Sequence, residues 1–161
     1  MIFIRKHKNT NIDEAWFDSF VNDNSNPIKI ELQKTLQKLV GKEITVSVDN
    51  NLDYKFFNYI AGQLMESKIR TFLNLEKTAN NNLDGIYKND YFIEVKAFFV
   101  NKQSSARKMF TSGEKEFIKS HEDMTYGILC KYQHTQSSTQ GKYKILGIYV
   151  LTGTELLKHI M

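Results

Sequence analysis

The chain of 161 residues is long enough for one domain with a substantial core and too short for two catalytic domains, and a 41% hydrophobic, 25% charged composition excludes a disordered or fibrous whole. With 22 Lys plus Arg against 18 Asp plus Glu, the formal charge of +4 permits a polyanionic partner without requiring one. No apolar run approaches the roughly 20 residues of a membrane span, the opening Met1-Ile2-Phe3-Ile4 is too short for a signal-peptide core, and one Cys with four scattered His offers neither a disulfide nor a zinc spacing; a cytoplasmic location is expected.

Ala15, Trp16, Phe17 and Phe20 predict an amphipathic helix over residues 13–21, and Asn22-Asp23-Asn24-Ser25-Asn26-Pro27 reads as a loop. Leu32, Leu36 and Leu39 predict a helix over 30–40 that stops at Gly41, and residues 43–48 alternate as a β-branched strand. The longest helical pattern, 54–77, carries Phe57, Ala61, Met65, Ile69, Phe72 and Leu73 as one stripe. Residues 83–87 and 91–99, joined by Lys88-Asn89-Asp90, predict a hairpin. A helix is expected from Ser112 to about Ser120, strands over 124–133 and 142–151 around a polar loop, and a last helix opening at Gly153-Thr154-Glu155. The intermixed order predicts an α/β protein with a mixed central β-sheet flanked by helices on both faces. Residues 1–50 are read as an amino-terminal helical and strand extension, and 54–161 as the core of the single domain.

A carboxylate, one residue, then a lysine occurs as Asp53-Tyr54-Lys55, Glu66-Ser67-Lys68 and Glu94-Val95-Lys96. The first falls at a turn; the second falls on a helix, where residues two apart point about 200° from each other, so both read as solvated charges. On a strand, residues two apart share a face: Glu94 and Lys96 project together, while Ile93, Val95, Ala97 and Phe99 face the other way. So apolar a strand is expected to be central, with the whole hairpin in the middle of the sheet, and charges there need a reason. Asp84, on the other arm of the hairpin, brings a second carboxylate towards Glu94. Two carboxylates and the Val95 carbonyl make the oxygen-rich site that Mg²⁺ prefers, with waters completing the shell. Such an ion activates water for in-line attack on phosphorus, and Lys96 would stabilise the charge that develops.

Leu83-Asp84-Gly85 followed by Phe92-Ile93-Glu94-Val95-Lys96 resembles the metal-dependent nuclease superfamily named for its PD-(D/E)xK motif, which includes restriction enzymes, resolvases and repair nucleases. The resemblance spans about residues 62–151, with Gly62-Gln63-Leu64-Met65-Glu66 similar to the helix that carries the family's additional acid; Leu83 stands in place of the proline. It implies a restriction endonuclease-like three-layer α/β/α fold and a catalytic set of Glu66, Asp84, Glu94 and Lys96. Mg²⁺, with Mn²⁺ as a substitute, would be held by Asp84, Glu94, Glu66 and the Val95 carbonyl. The implied function is a DNA endonuclease of restriction or host-defence type, cutting duplexes as a homodimer because one chain carries one active site. The alternatives are a structure-specific nuclease similar to Holliday junction resolvases, and a non-catalytic nucleic-acid-binding module or scaffold. Lys102, Arg107 and Lys108, in the polar stretch after the strand, are expected to contact phosphates. Cys130 reads as core, nothing pairs His121, His134 or His159, and the glycines form no nucleotide-binding loop, so neither a nucleotide cofactor nor a membrane partner is expected.

Overall fold

Asn26 opens the first helix by accepting the N–H groups of Ile28 and Lys29 at 3.0 and 3.1 Å, with Pro27 at the first helical position. In the computed structural model, which describes residues 25–46, 54–77, 83–99, 110–136 and 141–161, this helix, α1, spans Pro27–Leu36. Its start precedes the expected one because the Asn-Pro cap lies before the apolar repeat begins. A 3₁₀ turn, Gln37–Leu39, leads to Gly41 at φ 89° and to β1, Glu43–Val46. The expected helix over 13–21 and the positions of Lys102, Arg107 and Lys108 lie outside the described residues.

Helix α2 spans Tyr54–Phe72 and stops before Lys77. Asn74 takes φ 53°, Leu75 N–H donates to the Arg70 carbonyl at 3.1 Å and Asn74 N–H to that of Thr71 at 3.0 Å, the paired bonds of a Schellman end. Ala61, Met65, Ile69 and Leu73, four apart, form the buried line, whereas Phe72 is 41% exposed and leaves the expected stripe; the side chain of Phe57 lies outside those described. The hairpin joins β2, Gly85–Tyr87, to β3, Tyr91–Phe99. Lys88 and Asn89 both take positive φ, and Asp90 N–H returns to the Tyr87 carbonyl, which makes a type I′ turn. Then follow α3, Ser112–Ser120, a 3₁₀ turn Glu122–Met124, β4, Thr125–Gln136, β5, Gly141–Thr152, and α4, Gly153–Ile160. Both α3 and α4 open with capping boxes, Thr111 with Glu114 and Thr152 with Glu155, and begin at Ser112 and Gly153 as expected.

The chain is thus mixed α/β, with a five-stranded sheet in the order β1-β5-β4-β3-β2. Among the described residues only β3 and β4 pair in parallel, across the connection that contains α3. The hairpin is not central, contrary to expectation. β4 occupies the middle, β3 lies between β4 and β2, and β2 is the end strand, its Ile86 bridged on the outer side to Glu76. The hydrophobicity of β3 reflects cover by packed side chains above and below rather than a middle position among strands. One apolar cluster joins Leu32 and Leu36 of α1 and Ala61, Met65 and Ile69 of α2 to Ile93, Val95, Ile128, Cys130, Ile148 and Val150. The other joins Ile118 of α3 and Leu156 and Ile160 of α4 to Leu129 and Leu151. Alternate residues of β4 and β5 feed different clusters, as the two-residue strand period requires. Residues 27–46 are integral to this arrangement, since α1 enters the first cluster and β1 pairs with β5.

Candidate active site

β2 is too short to accompany β3 along its length, and carboxylates take over where it ends. Asp84 N–H still donates to the Ile93 carbonyl at 3.0 Å. Beyond it, Asp84 Oδ2 accepts the Val95 N–H at 2.6 Å and Glu66 Oε2, reaching from α2, accepts the Ala97 N–H at 3.0 Å. Strand alternation turns the Val95 carbonyl towards this same edge. Asp84 Oδ1 meets Arg70 Nη1 at 3.1 Å, and Arg70 lies one helical turn beyond Glu66.

Glu94 and Lys96 share the opposite face from Ile93 and Val95, as the alternation predicts. Gly127 lies beside Glu94 in the parallel ladder; a Cβ there would meet Leu156 Cδ1 at 2.5 Å. Glu94 is 3% exposed, and its Oε2 is buried without a hydrogen-bond partner. Burial, reinforced by the neighbouring Asp84 and Glu114 carboxyls and only partly offset by Lys96, pushes the Glu94 carboxyl up to about 10. Burial thus favours the protonated carboxyl over the carboxylate at this position. The same burial raises Glu66 above the ordinary carboxylate range, against the Ala97 N–H.

Lys96 Nζ lies 3.4 Å from Glu94 Oε1 but 3.1 and 3.0 Å from the two oxygens of Glu114. Burial pulls the ammonium down, yet Glu94 and Glu114 outweigh it and hold Lys96 above the ordinary lysine value. Burial likewise pushes Glu114 up, and the Thr111 N–H and Lys96 overcome it, leaving Glu114 lowered.

The four expected residues therefore gather along the middle of β3, just past the end of β2, though with different duties. Glu66 and Asp84 bind backbone, Lys96 binds Glu114, and Glu94 keeps an open oxygen. Among the described residues no three His, Cys, Asp or Glu side chains form a group able to hold a metal ion. A site for Mg²⁺ needs less, because that ion keeps several waters and takes one or two carboxylates. Asp84 and Glu94, with the unpartnered Oε2, fit that donor set. Arg70 and Glu114 escaped the sequence reading. The spacing of Arg70 four residues after Glu66 and the Thr111-Ser112-Gly113-Glu114 capping pattern were their only local signals. Cys130 is buried, as expected, with its thiol pushed by burial up to about 12. No helix among the described residues is long and apolar enough to cross a membrane. No family model, curated protein or solved structure matches the chain.

Proposed function

We propose that the chain is a metal-dependent nuclease of the PD-(D/E)xK kind, hydrolysing phosphodiester bonds of DNA, with Glu66, Asp84, Glu94 and Lys96 as its working set. The observation that carries the reading is Glu94: a buried acid with an unpartnered oxygen beside a second carboxylate, on a strand that also presents Lys96. A buried carboxyl so placed, neutral in the free protein, is the arrangement that a divalent cation relieves by taking the place of the proton. Asp84 and Glu94 would hold Mg²⁺, or Mn²⁺ in its place, with the Val95 carbonyl facing the same edge. The ion when bound supplies an acidified water and positive charge at the scissile phosphate. Lys96 holds an ammonium where charge grows on the phosphate oxygens, and Arg70 adds a second positive group beside Asp84. Glu66 ties α2 to the strand edge through Ala97 and so fixes the wall next to the acids.

The layering supports the same reading. Helices α1 and α2 pack in one cluster and α3 and α4 in the other, as a restriction endonuclease-like three-layer α/β/α fold would have them. Within this proposal the enzyme acts as a homodimer of restriction or host-defence type, each copy cutting one strand. The test is incubation of the purified chain with supercoiled plasmid, four-way junctions and single strands, each with Mg²⁺ or EDTA. Discrete Mg²⁺-dependent plasmid products support the reading as stated, and preferential junction cutting moves it to a resolvase-like enzyme. Binding without cutting under any metal leaves a nucleic-acid-binding module and ends the catalytic assignment.

A further inference from the structure

Lys96 has two carboxylate neighbours, and the closer one is not its motif partner. Glu114 receives two hydrogen bonds from Nζ, at 3.1 and 3.0 Å, whereas Glu94 Oε1 stands at 3.4 Å, beyond a good N–H···O distance. Glu114 is itself anchored by the start of α3. Its Oε1 accepts the Thr111 N–H at 2.8 Å, and its own N–H donates to Thr111 Oγ1 at 3.1 Å. A capping glutamate has no need to reach the sheet, yet this side chain is 14% exposed and directs both oxygens across to β3. The Lys96 ammonium also lies over the ring of buried Phe110, 5.5 Å from its centroid. A flexible lysine is thereby confined by a carboxylate fixed to a helix cap on one side and an aromatic ring on another.

We propose that Glu114 is a positioning residue that places the Lys96 ammonium for phosphodiester cleavage and keeps it off the Glu94 oxygens; the inference rests on the nuclease reading above. Two charge-assisted bonds from a rigidly held acceptor preorganise the amine before substrate arrives. Without them Lys96 would close on Glu94, the nearest remaining carboxyl group, and cover the oxygens that a cation needs.

The test uses the full chain and two variants of matched kind. Glu114→Gln keeps an oxygen for the Thr111 N–H, and so the cap, but removes the charge that holds Lys96. Thr152→Ala removes the equivalent cap hydroxyl from α4, leaves Glu114 and Lys96 unchanged, and serves as the stability control. One readout is the ¹H–¹⁵N spectrum of the lysine ammonium groups, with Lys96 identified by its absence in Lys96→Met; an ammonium locked between acceptors exchanges slowly enough to be seen. The other is the initial rate of plasmid cleavage. The parent and Thr152→Ala are expected to show the Lys96 signal and Glu114→Gln to lose it, with kcat at least about tenfold lower and KM for DNA within about twofold. A Glu114→Gln protein that keeps the signal, or loses it and cuts at the parent rate, overturns the proposal, as does loss of the signal in Thr152→Ala. A parent that cuts no nucleic acid refutes the nuclease reading and the catalytic role with it, while the spectra still decide whether Glu114 places Lys96.

Discussion

Asp84 Oδ2 accepts the Val95 N–H at 2.6 Å, so a carboxylate rather than a neighbouring strand completes the sheet edge one residue beyond Glu94. Glu66 repeats the device at Ala97, and Gln33 of α1 uses it on β5, donating to the Ile148 carbonyl at 2.7 Å and accepting from Val150 N–H at 3.0 Å. Side chains thus satisfy backbone groups that the short strands β2 and β1 leave over. At the β3 edge these same side chains are the candidate catalytic acids, which couples folding to chemistry.

That coupling separates two variants of Asp84. Asp84→Asn keeps an oxygen for the Val95 N–H, and its stability should stay within about 1 kcal/mol of the parent, whereas Asp84→Ala strands the donor at a cost of about 1–3 kcal/mol. Cleavage should fall at least about 10²-fold in both, since the charge is lost in both. Urea melts and cleavage rates on the same preparations check this; an Asn variant that cuts normally removes Asp84 from the metal site.

The buried Glu94 sets a pH dependence. Its carboxyl goes from 4.5 in the unfolded chain to about 10 when folded, so the folded state binds the extra proton between those values. By linkage its contribution to stability is fully present below the unfolded value and is lost progressively as pH rises towards the folded one. A metal replacing that proton should bind more tightly at higher pH, release a proton on binding, and restore stability where the carboxylate is most costly. Denaturation at about pH 6 and about pH 9, with and without Mg²⁺, in the parent and Glu94→Gln, measures this. The parent should lose more stability than the Gln variant on going to the higher pH; equal losses mean that Glu94 does not titrate in that range.

Much of this edge is legible in the sequence. Tyr91–Phe99 follows a turn and is apolar or aromatic apart from Glu94 and Lys96, and two-residue periodicity alone separates these two from Ile93 and Val95. Sheet order is not legible, because β3 pairs with β4 across a long connection that local pattern cannot describe, and this is why the hairpin was expected in the middle. The start of α1 is not legible for a related reason, Asn26 being a polar cap ahead of the apolar repeat, whereas α3 and α4 begin at Ser112 and Gly153 as their local patterns predict. Arg70 and Glu114 carry ordinary helix-surface identities; only the meeting of α2, β3 and α3 gives them Asp84 and Lys96 as partners.

A buried ion pair far from this edge offers a test of the fold alone. Lys29 Nζ meets both oxygens of Glu155 at 3.0 Å, with the two side chains 4% and 9% exposed, joining α1 to the start of α4. Lys29→Met leaves the Glu155 charge buried and should cost about 3–5 kcal/mol. Glu155→Gln keeps the bond to the Thr152 N–H, so adding it to Lys29→Met should recover part of the loss. A double-mutant cycle by chemical denaturation gives the coupling; strictly additive costs would mean that the pair contributes nothing as a pair.

Arg70 and a bound cation would compete for one oxygen, and the competition fixes the sign of a last prediction. The guanidinium meets Asp84 Oδ1 at 3.1 Å from a side chain that is 36% exposed. An ion pair that open contributes no more than about 1 kcal/mol, so Arg70→Gln should fold nearly as stably as the parent. It should also bind Mg²⁺ or Mn²⁺ more tightly, by several-fold up to about tenfold, because a positive charge beside the divalent ion has gone and Asp84 Oδ1 is released. DNA affinity in EDTA should move the other way, since a positive group near the phosphate path is lost. Calorimetric titration of metal, together with DNA binding across salt, separates the two effects. Weaker metal binding in Arg70→Gln would mean that the guanidinium aims Asp84 at the site rather than occupying it, and would make Arg70 a support for the acid instead of its competitor.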